Sequence, residues 1–370
     1  MFGMCLFLFR TVKRRKQKIC PALLSPVSLL FLVSLLSLPG VLSDSRANAT
    51  TSAKYQTLQI FYENDLFGNT DKYYTNALQL TWLSKDLEEY ADDVRLPDWS
   101  TPLLRLAPFV NEPDSTHNIG LILGQQIYTP ADIYTSELLS DDRPYAGFLY
   151  AGLALHSKTA DQLDTLELVG GVVGPSALGE QAQNTVHKIR DLKQAQGWDN
   201  QLRDEPAFRL SWQRKWRAWA KTADCCLGAD LIPFAGLTAG NVLTAANAGT
   251  EARFGYRLPQ DFGSDVIRPG SGVSVPEPSG PQTLPWGRFG LHVFAAAQIQ
   301  AVAHNIFLDG NTWKDSHSVD KYPIVADVSL GLAFTYERLK LTYRHLLRTR
   351  EFTRQDEPQV IGSLTLTWAF

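Results

Sequence analysis

The stretch SLTLTWAF, from Ser363 to Phe370, decides the fold. In an extended chain, Leu364, Leu366, Trp368 and Phe370 fall on one face, and Ser363, Thr365, Thr367 and Ala369 fall on the other. An apolar face opposite a small, polar face over about ten residues is typical of strands in transmembrane β-barrels. A soluble β-sandwich gives similar alternation, so this stretch alone leaves both folds open.

Alternation with a period of two recurs in about twelve segments of the chain. They lie near residues 55–64, 73–84, 116–127, 145–157, 162–174, 205–219, 223–236, 242–257, 287–303, 322–336, 338–349 and 359–370. Because bacterial single-chain barrels usually have an even number of strands, we predict an all-β fold, a single transmembrane antiparallel β-barrel of about 12 strands. The eighth and ninth segments have the weakest pattern, and the Gly-, Pro- and Ser-rich stretch Pro259–Pro285 between them predicts a long loop.

The N-terminal region has the pattern of an export signal. A basic segment precedes the apolar run Leu29–Leu36, and two small-residue cleavage patterns follow. We predict a signal peptide over residues 1–49, cleaved after Ser43 or Ala49, and a barrel over residues 50–370; a retained membrane anchor is the alternative. The signal, the aromatic residues near strand ends and the terminal aromatic residue favour an outer-membrane barrel over a soluble sandwich.

Charge and cysteine content exclude some classes of function. The formal net charge is −3, and removing the six Lys and Arg residues of the first 18 positions leaves about −9, so no basic patch indicates nucleic-acid binding. Cys5 and Cys20 belong to the predicted signal, and the adjacent Cys225 and Cys226 are too close for an ordinary disulfide. We therefore expect hydrogen bonding around a closed barrel, not disulfides, to stabilise the exported chain.

One convincing helix interrupts the strands, in the stretch Gly174–Gln201. We predict a helix over residues 176–196 in an outer loop, ended by Gly197. Its polar face contains Gln183, His187, Arg190 and Gln194, and a neighbouring apolar stripe of Ala182, Val186 and Ile189 is expected to dock it. A helix can present a base in this way, although a solvated loop helix with an incidental histidine fits the same stretch.

Other polar residues collect at the same end of the predicted barrel, because loops after odd-numbered strands face outside. Asn64 and Asp65 end the first strand, and alternation places Asp65 and Thr75 on the lumen face and Asn64 outward. Asp65 is a hard oxygen ligand suited to Ca²⁺. With His187 and Gln183 these residues contain a proton acceptor and oxyanion partners, which ester hydrolysis needs. A simple Asn-Asp turn is the alternative.

Further features are less specific. Lys188, Arg190, Lys193 and Arg203 lie in or near the predicted helix and could meet lipid phosphates, although the pattern favours a solvated helix face. The sequence has no Gly-x-Ser-x-Gly, Cys-x-x-Cys or His-Glu-x-x-His pattern, which disfavours a serine hydrolase of the α/β type and a zinc hydrolase. The segment Lys85–Ser115 is too long for an inner turn and indicates an insertion or a miscount.

Four motifs together carry a resemblance. They are Glu63-Asn64-Asp65-x-Phe67, Asp71-x-x-Tyr74-Thr75-Asn76, Asp142-Arg143-Pro144-Tyr145-Ala146-Gly147, and Gly174-Pro175-x-Ala177-x-Gly179-x-x-x-Gln183-Asn184-x-x-His187 with Gly197-Trp198 after it. In this combination the chain resembles the outer-membrane lipid A 3'-O-deacylase family (LpxR-like). The resemblance implies a twelve-stranded barrel with its site between the wall and a helix of an outer loop. It also implies Ca²⁺-dependent removal of the 3'-linked acyloxyacyl chain of lipid A, in the outer leaflet of the bacterial outer membrane.

The resemblance also implies roles for single residues. Asn64, Asp65, Thr75, Gln183 and His187 match the active-site positions of the family. His187 would be the general base that activates water, Asp65 would help to place the metal, Asn64 and Thr75 would be polar partners, and Gln183 would orient or bind substrate. Lys188 and Arg190 are our further candidates for substrate binding. The family pattern has a carboxylate six residues after the histidine, whereas this chain has Lys193.

We accordingly predict a monomeric esterase whose substrate is lipid A or lipopolysaccharide, in contact with outer-membrane lipids and not with nucleic acid. An outer-membrane phospholipase on a similar barrel is the second enzyme hypothesis. A porin or structural barrel, in which the polar residues line a lumen, is the non-enzymatic alternative.

Overall fold

A computed structural model of the chain describes residues 55–65, 72–90, 115–223, 226–264, 266–270 and 288–370. The predicted signal peptide, Cys225 and most of the predicted insert at 85–115 lie outside these residues. None of the helices in the described ranges combines the length and the apolar character needed to cross a membrane.

Thirteen strands of the described chain form one antiparallel sheet. They are β1 (Thr57–Asn64), β2 (Tyr73–Leu83), β3 (Thr116–Thr129), β4 (Ala146–Lys158), β5 (Gln162–Val173), β6 (Glu205–Trp216), β7 (Trp219–Thr222), β8 (Leu227–Gly240), β9 (Leu243–Tyr256), β10 (Phe289–Asn305), β11 (Ile324–Tyr336), β12 (Leu339–Arg348) and β13 (Gln359–Ala369). All twelve predicted segments contain a strand, including the eighth and ninth.

The sheet closes on itself. β1 pairs with β13, with Thr57 opposite Ala369, and β6 pairs with β8, with Arg209 opposite Gly240. β7 continues along β8 where β6 stops, so these two strands occupy one position in the wall. The wall therefore has twelve strand positions, which confirms the predicted barrel. Closure pairs the two ends of the sheet and removes the long open edge that a sheet in a membrane cannot have.

The two ends of the barrel differ in their connections. The chain enters β1 and leaves β13 at one end, called the inner end below, and β1 finishes at Asn64 at the opposite, outer end. Residues 159–161 and 337–338 make short inner turns, whereas the outer connection between β5 and β6 is much longer. The inner connections after β2 and after β9 are also long, so loop length agrees only in part with the short inner turns and long outer loops of bacterial outer-membrane barrels.

The outward face of the wall is apolar and the inward face is polar. In β13, Leu364, Leu366 and Trp368 are exposed, whereas the intervening Thr365 and Thr367 are buried. The same alternation holds in the other wall strands. Their outward side chains must be apolar because they contact lipid, whereas their inward side chains do not contact lipid and can be polar. The stretch that decides the fold in the sequence thus has the predicted orientation.

The barrel lumen is filled by the chain itself. Residues 258–264 and 266–270, which follow β9, enter the barrel from the inner end, and we call them the lumen plug. Lys340 Nζ donates to Asp261 of the plug at 2.6 Å, and Phe262 packs against Leu83 and Leu163. Ile267, farther along, joins a buried cluster with Phe61, Tyr74, Leu346 and Ile361. The described part of the predicted long loop is therefore an internal plug.

Charged residues inside the lumen are paired. The pairs are Arg253 with Asp230 (2.5 Å), Arg344 with Glu251 (2.8 Å), Arg348 with Asp327 (2.8 Å), Arg209 with Glu167 (2.9 Å) and Arg143 with Glu351 (3.2 Å). Removing one partner of such a buried pair is costly, because the remaining charge keeps its desolvation penalty without compensation. The lumen is thus a packed polar core.

The outer connection between β5 and β6 contains the main helix, α1 (Gly179–Ile189), after a 3-10 turn at Pro175–Ala177. The predicted helix over 176–196 is thus too long at its C-terminal end. Asp191 adopts a left-handed conformation (φ 55°) and stops α1, and Leu192 N–H then donates to the carbonyl of His187 at 2.8 Å. A second short helix, α2 (Ile306–Asp309), follows β10 at the outer end.

Candidate active site

The approach of α1 to the wall depends on glycine. Gly174 has φ 116°, which turns the chain off the end of β5, and Pro175 then begins the 3-10 turn. A Cβ atom on Gly179 would lie 2.8 Å from the ring of Trp198 and 3.1 Å from Cα of Gly147 in β4. The N-terminal end of α1 therefore packs closely against the backbone of the wall. This packing explains why the motif has Gly174, Pro175 and Gly179 at these positions.

The side chains that dock α1 differ from those predicted. Gly179, Gln183 and His187, spaced by four residues, are the buried residues of α1. Of the predicted apolar stripe, Ala182 is partly buried against the cluster of Ile127 and Trp198, whereas Ile189 is 79% exposed, so the docking prediction is right for Ala182 and wrong for Ile189. The reason is that α1 lies on the outward face of the wall, in apolar surroundings. There an apolar side chain can stay exposed, whereas a polar side chain needs a hydrogen-bond partner in the protein.

Two contacts fix α1 on the outward face of β3. Leu121 and Leu123 are exposed there, and Gln125 and Ile127 continue the same face toward the outer end. Gln125 Nε2 donates to the carbonyl of Ala177 at 2.7 Å, just before α1 begins. Ile127 packs in a cluster with residues of the return loop that follows α1. The polar face of α1 is thus pressed against the outside of the barrel.

Trp198 holds the side chain of Gln183. The indole Nε1–H donates to Gln183 Oε1 at 2.9 Å, and both side chains are buried. Since an indole nitrogen can only donate, this bond assigns the amide orientation and directs Nε2 of Gln183 elsewhere. That Nε2 is buried without a hydrogen-bond partner among the described residues. Gln183 thus carries a fixed donor that a ligand oxygen could accept from.

His187 is oriented by the main chain of the return loop. Its Nδ1 lies 2.8 Å from the carbonyl oxygen of Lys193. Because a carbonyl can only accept, Nδ1 carries the hydrogen and Nε2 is the nitrogen that can take a proton. Asn184 Oδ1 accepts the N–H of Ala195 at 3.1 Å and so ties this loop to α1.

The position that departs from the family pattern keeps an orienting role through its backbone. The carbonyl of Lys193 bonds to the histidine, while its ammonium group lies 5.0 Å from the centre of the Tyr134 ring. In serine hydrolases an acid orients the imidazole in the corresponding way. Replacement of a carboxylate by lysine therefore leaves His187 with an acceptor for Nδ1–H.

The outer loop between β3 and β4 supports the return loop. Gln196 N–H donates to the carbonyl of Ile133 at 2.8 Å, and Asn200 Nδ2 donates to that of Ser136 at 2.8 Å. Asp142 closes this outer loop by accepting the N–H of Ala131 at 2.7 Å, and burial raises the pKa of its carboxyl. The Asp-Arg-Pro-Tyr motif thus shapes the platform beneath the return loop.

Thr75 faces outward, contrary to the prediction that it lies in the lumen. The register between β2 and β3 shifts between Tyr74 and Asn76, so Thr75 is the extra residue of a β-bulge. Tyr74 points into the lumen, where it packs with the plug, and Thr75 Oγ1 hydrogen bonds to Thr129 Oγ1 at 2.7 Å. Thr129 shares the outward face of β3 with Ile127. The bulge therefore moves Thr75 to the side of the wall that α1 covers.

Asn64 and Asp65 lie at the outer end of β1. Asn64 is opposite Asn76 on the outward face, as predicted, and is nevertheless buried. β1 stops at Asn64, so the alternation used to place Asp65 does not reach it. The Asp65 side chain is fully buried, and its Oδ2 accepts the N–H of Lys72 at 2.5 Å.

The C-terminal end of α1 and the outer end of β1 both act on Tyr62. Tyr62 points outward on β1, and the charges of Arg190, directly after α1, and of Asp65 both affect its hydroxyl. The C-terminal end of α1 therefore lies above the end of β1. Lys188, in the last turn of α1, and Arg190, directly after it, are exposed, so an external anionic group could reach them.

Asp65 and Asn64 bring one carboxylate and one amide side chain to the outer end of β1. Among the described residues no group of three or more His, Cys, Asp and Glu side chains could hold a metal ion. The Asp65 carboxylate is nevertheless fully buried, and Asn64 beside it offers an amide oxygen. Calcium accepts carboxylate, amide, backbone and water oxygens together, so one carboxylate is compatible with it.

Sequence reasoning missed Trp198, Asn184 and Thr129 as members of the site. Trp198 and Asn184 stand within the motifs, but only the fold reveals that their side chains fix Gln183 and the return loop. Thr129 carried no signal, since its role depends on the bulge in the neighbouring strand.

Two cavities in the described structure lie elsewhere. One is lined by residues that include Gln213, Glu251, Ser264, Asp327 and Arg344, and the other by residues that include Tyr74, Tyr128, Arg209, Ile267 and Arg348. Both flank the lumen plug and contain the paired charges described above. They are internal gaps of the lumen, and the chemistry of the site lies on the other side of the wall.

Comparisons with known proteins agree with this architecture. A family model described as "Outer membrane protein LpxR" matches residues 29–370. The structure of LpxR from Salmonella typhimurium is similar, with a TM-score of 0.64 and 19% identity over 85% of this chain and 100% of that one. The β-domain of the Bordetella autotransporter BrkA (TM-score 0.39, 10% identity, 86% of this chain and 99% of that one) is much less similar. Among curated proteins no sequence matches this chain.

Proposed function

Because the chain belongs to the LpxR family of outer-membrane proteins, we propose that it hydrolyses the 3'-linked acyloxyacyl ester of lipid A in the outer leaflet. The observation that carries this proposal is the buried Gln183–His187 face of α1, pressed against the lipid-facing side of the wall at the outer end. A site in this position opens to the membrane and to its outer surface, where lipid A is found. A site in the lumen would not meet such a substrate.

His187 acts as the general base in the proposed reaction. Its Nδ1–H is held by the Lys193 carbonyl, so Nε2 takes a proton from water while the water oxygen attacks the ester carbonyl carbon. Collapse of the tetrahedral intermediate breaks the bond between that carbon and the 3' oxygen of the sugar. The imidazolium then returns the proton to the leaving oxygen, and the products are the acyloxyacyl acid and a free hydroxyl.

Gln183 is proposed to stabilise the oxyanion. Trp198 occupies the oxygen of its amide, so the NH₂ group is available to donate to the ester oxygen as negative charge develops there. A donor that is already oriented needs no rearrangement in the transition state, and one such donor is typically worth about 10²–10³-fold in rate. Asn64 and Thr75 are proposed as further polar partners on the same face of the wall.

Calcium is the proposed cofactor. Asp65 would hold it, with the amide oxygen of Asn64. When bound, Ca²⁺ would supply positive charge near the developing oxyanion. With Asp65 as the one carboxylate that we assign to the metal, we expect weaker calcium binding than a site with two carboxylates would give.

Lys188 and Arg190 are proposed to bind the phosphate groups of lipid A. Both are exposed at the C-terminal end of α1. Cationic side chains near a membrane surface attract anionic headgroups with about 1 kcal/mol each. Their contribution would appear as substrate affinity and as a dependence on salt concentration.

A phospholipase and a porin remain the outcomes to be distinguished. The paired charges and the lumen plug argue against a porin, since they occupy the lumen of the described barrel. No feature of the site favours a phospholipid over lipid A.

The proposal is tested by mass spectrometry of lipid A and phospholipids from cells that express the wild type, His187→Ala or Asp65→Ala. We expect loss of the 3'-acyloxyacyl mass in the presence of Ca²⁺ for the wild type and little loss for either variant. Phospholipid cleavage without a change in lipid A would replace the proposal by a phospholipase. Unchanged lipids together with ion conductance would replace it by a porin.

A further inference from the structure

The side chain of Glu63 joins three elements inside the barrel, immediately behind the site. It is 1% exposed on the lumen face of β1. Tyr74 Oη donates to its Oε2 at 2.9 Å, and the N–H of Ile267 donates to its Oε1 at 3.0 Å. Arg268 Nη1 adds a charged contact at 3.4 Å. Glu63 thus links β1, β2 and the lumen plug.

These bonds act on the residues next to the site. In a strand, neighbouring residues point to opposite faces but share one peptide unit, so the backbone that holds Glu63 also holds Asn64. Tyr74 stands in the same relation to Thr75, which the bulge turns outward. The bond between Glu63 and Tyr74 therefore fixes, from inside, the separation of the two strand ends that present Asn64 and Thr75 outside.

The lumen plug supplies the rest of this support. Ile267 packs against Phe61 and Tyr74, which flank Glu63 in the barrel interior. Arg268 also lies 3.9 Å from Asp327 in β11, so it joins β1 to a strand three positions farther along the wall. A segment that enters from the inner end thereby braces the outer end of β1.

We propose that Glu63 is a positioning residue for the site, and that the lumen plug holds it in place through Ile267 and Arg268. This inference rests on the proposed function, because it concerns the reaction rate at the same site. Glu63 does not touch substrate from its position in the lumen. It acts by fixing the backbone of Asn64 and Asp65 relative to the bulge at Thr75.

The inference predicts an effect on turnover and not on substrate affinity. Glu63→Ala removes all three contacts, so the strand ends can shift, and misplacement of about 1 Å can cost about 10²-fold in rate. We expect kcat to fall about 10- to 100-fold with KM within about twofold. Glu63→Gln keeps an acceptor for the Ile267 N–H, so it should recover part of the loss. Arg268→Ala should lower kcat less than Glu63→Ala, because the Tyr74 bond remains.

Glu167→Ala is the matched control. Glu167 is also a buried lumen glutamate paired with an arginine, at 2.9 Å from Arg209, but no described contact links it to β1 or the plug. The measurement is initial-rate kinetics on purified lipid A in detergent micelles, with the shift in gel mobility on heating as the check that each barrel is folded. We expect Glu167→Ala to stay within about twofold of the wild type.

Two results would overturn the inference. In the first, folded Glu63→Ala has the same kcat as Glu167→Ala. In the second, Glu63→Ala has a normal kcat and only a raised KM. A wild type that does not hydrolyse lipid A would instead contradict the proposed function, so the two failures can be distinguished.

Discussion

We predict that Asn184→Ala slows ester hydrolysis while Lys193→Met does not. Asn184 Oδ1 accepts the N–H of Ala195 and so holds the return loop whose carbonyl, at Lys193, orients His187. Losing a partly buried hydrogen bond of this kind costs about 1–2 kcal/mol, which corresponds to about 5- to 30-fold in rate if the imidazole orientation carries the cost. Lys193→Met keeps the carbonyl and the length of the side chain, and removes only the charge near Tyr134.

The assay is the initial rate of acyloxyacyl release from purified lipid A, followed by mass spectrometry at saturating Ca²⁺. Both variants should show the wild-type change in gel mobility on heating, because neither residue belongs to the barrel wall. A Lys193→Met variant as slow as Asn184→Ala would refute the reasoning, since the side chain and not the carbonyl would then matter. Wild-type activity of Asn184→Ala would refute it equally.

Three further predictions follow from the same structure. Gly179→Ala should lower activity at least about tenfold while the barrel stays folded by gel mobility, because the new Cβ would meet Trp198 at 2.8 Å and Gly147 at 3.1 Å; full activity would contradict the close packing of α1. Chelation of Ca²⁺ with EGTA should abolish lipid A hydrolysis by the wild type reversibly, and Asp65→Asn should need much more Ca²⁺ in a titration of the rate; equal Ca²⁺ dependence would exclude Asp65 as a ligand. Planar-bilayer recordings of the purified protein should show no steady ion conductance, because the lumen plug and its ion pairs fill the barrel, and stable open channels would contradict this description.

The strands could be predicted because the membrane imposes a strict pattern on them. Every second residue of a segment such as Ser363–Phe370 must suit lipid, and the period of two is therefore visible without any tertiary information. The same rule misplaced Thr75, since a bulge adds one residue to β2 and reverses the faces beyond it. Nothing in the local sequence marks that extra residue.

The docking face of α1 could not be predicted by a rule made for soluble proteins. In water, the apolar stripe that includes Ile189 would be buried; on the outside of a membrane barrel, Gln183 and His187 need protein partners more. The stop of α1 at Ile189 depends likewise on the backbone of Asp191 and on the return loop.

The lumen plug was also beyond the sequence pattern. The Gly-, Pro- and Ser-rich composition of this stretch predicts a loop correctly, but it does not tell whether the loop enters the lumen or extends away from the barrel. Its partners, such as Glu63, Tyr74 and Lys340, lie in three separate strands, so only closure of the barrel brings them to one place. The contact that orients His187 could not be predicted either. Its acceptor is the backbone carbonyl of Lys193, which every residue type provides.

The most direct test of the central claim compares purified wild type and His187→Ala on purified lipid A with Ca²⁺, with both proteins shown to be folded by their gel mobility. If His187 is the base, the wild type releases the 3'-linked acyloxyacyl acid and the variant is slower by at least about 10²-fold. Equal release by the two proteins, or no release by the wild type, would contradict the account.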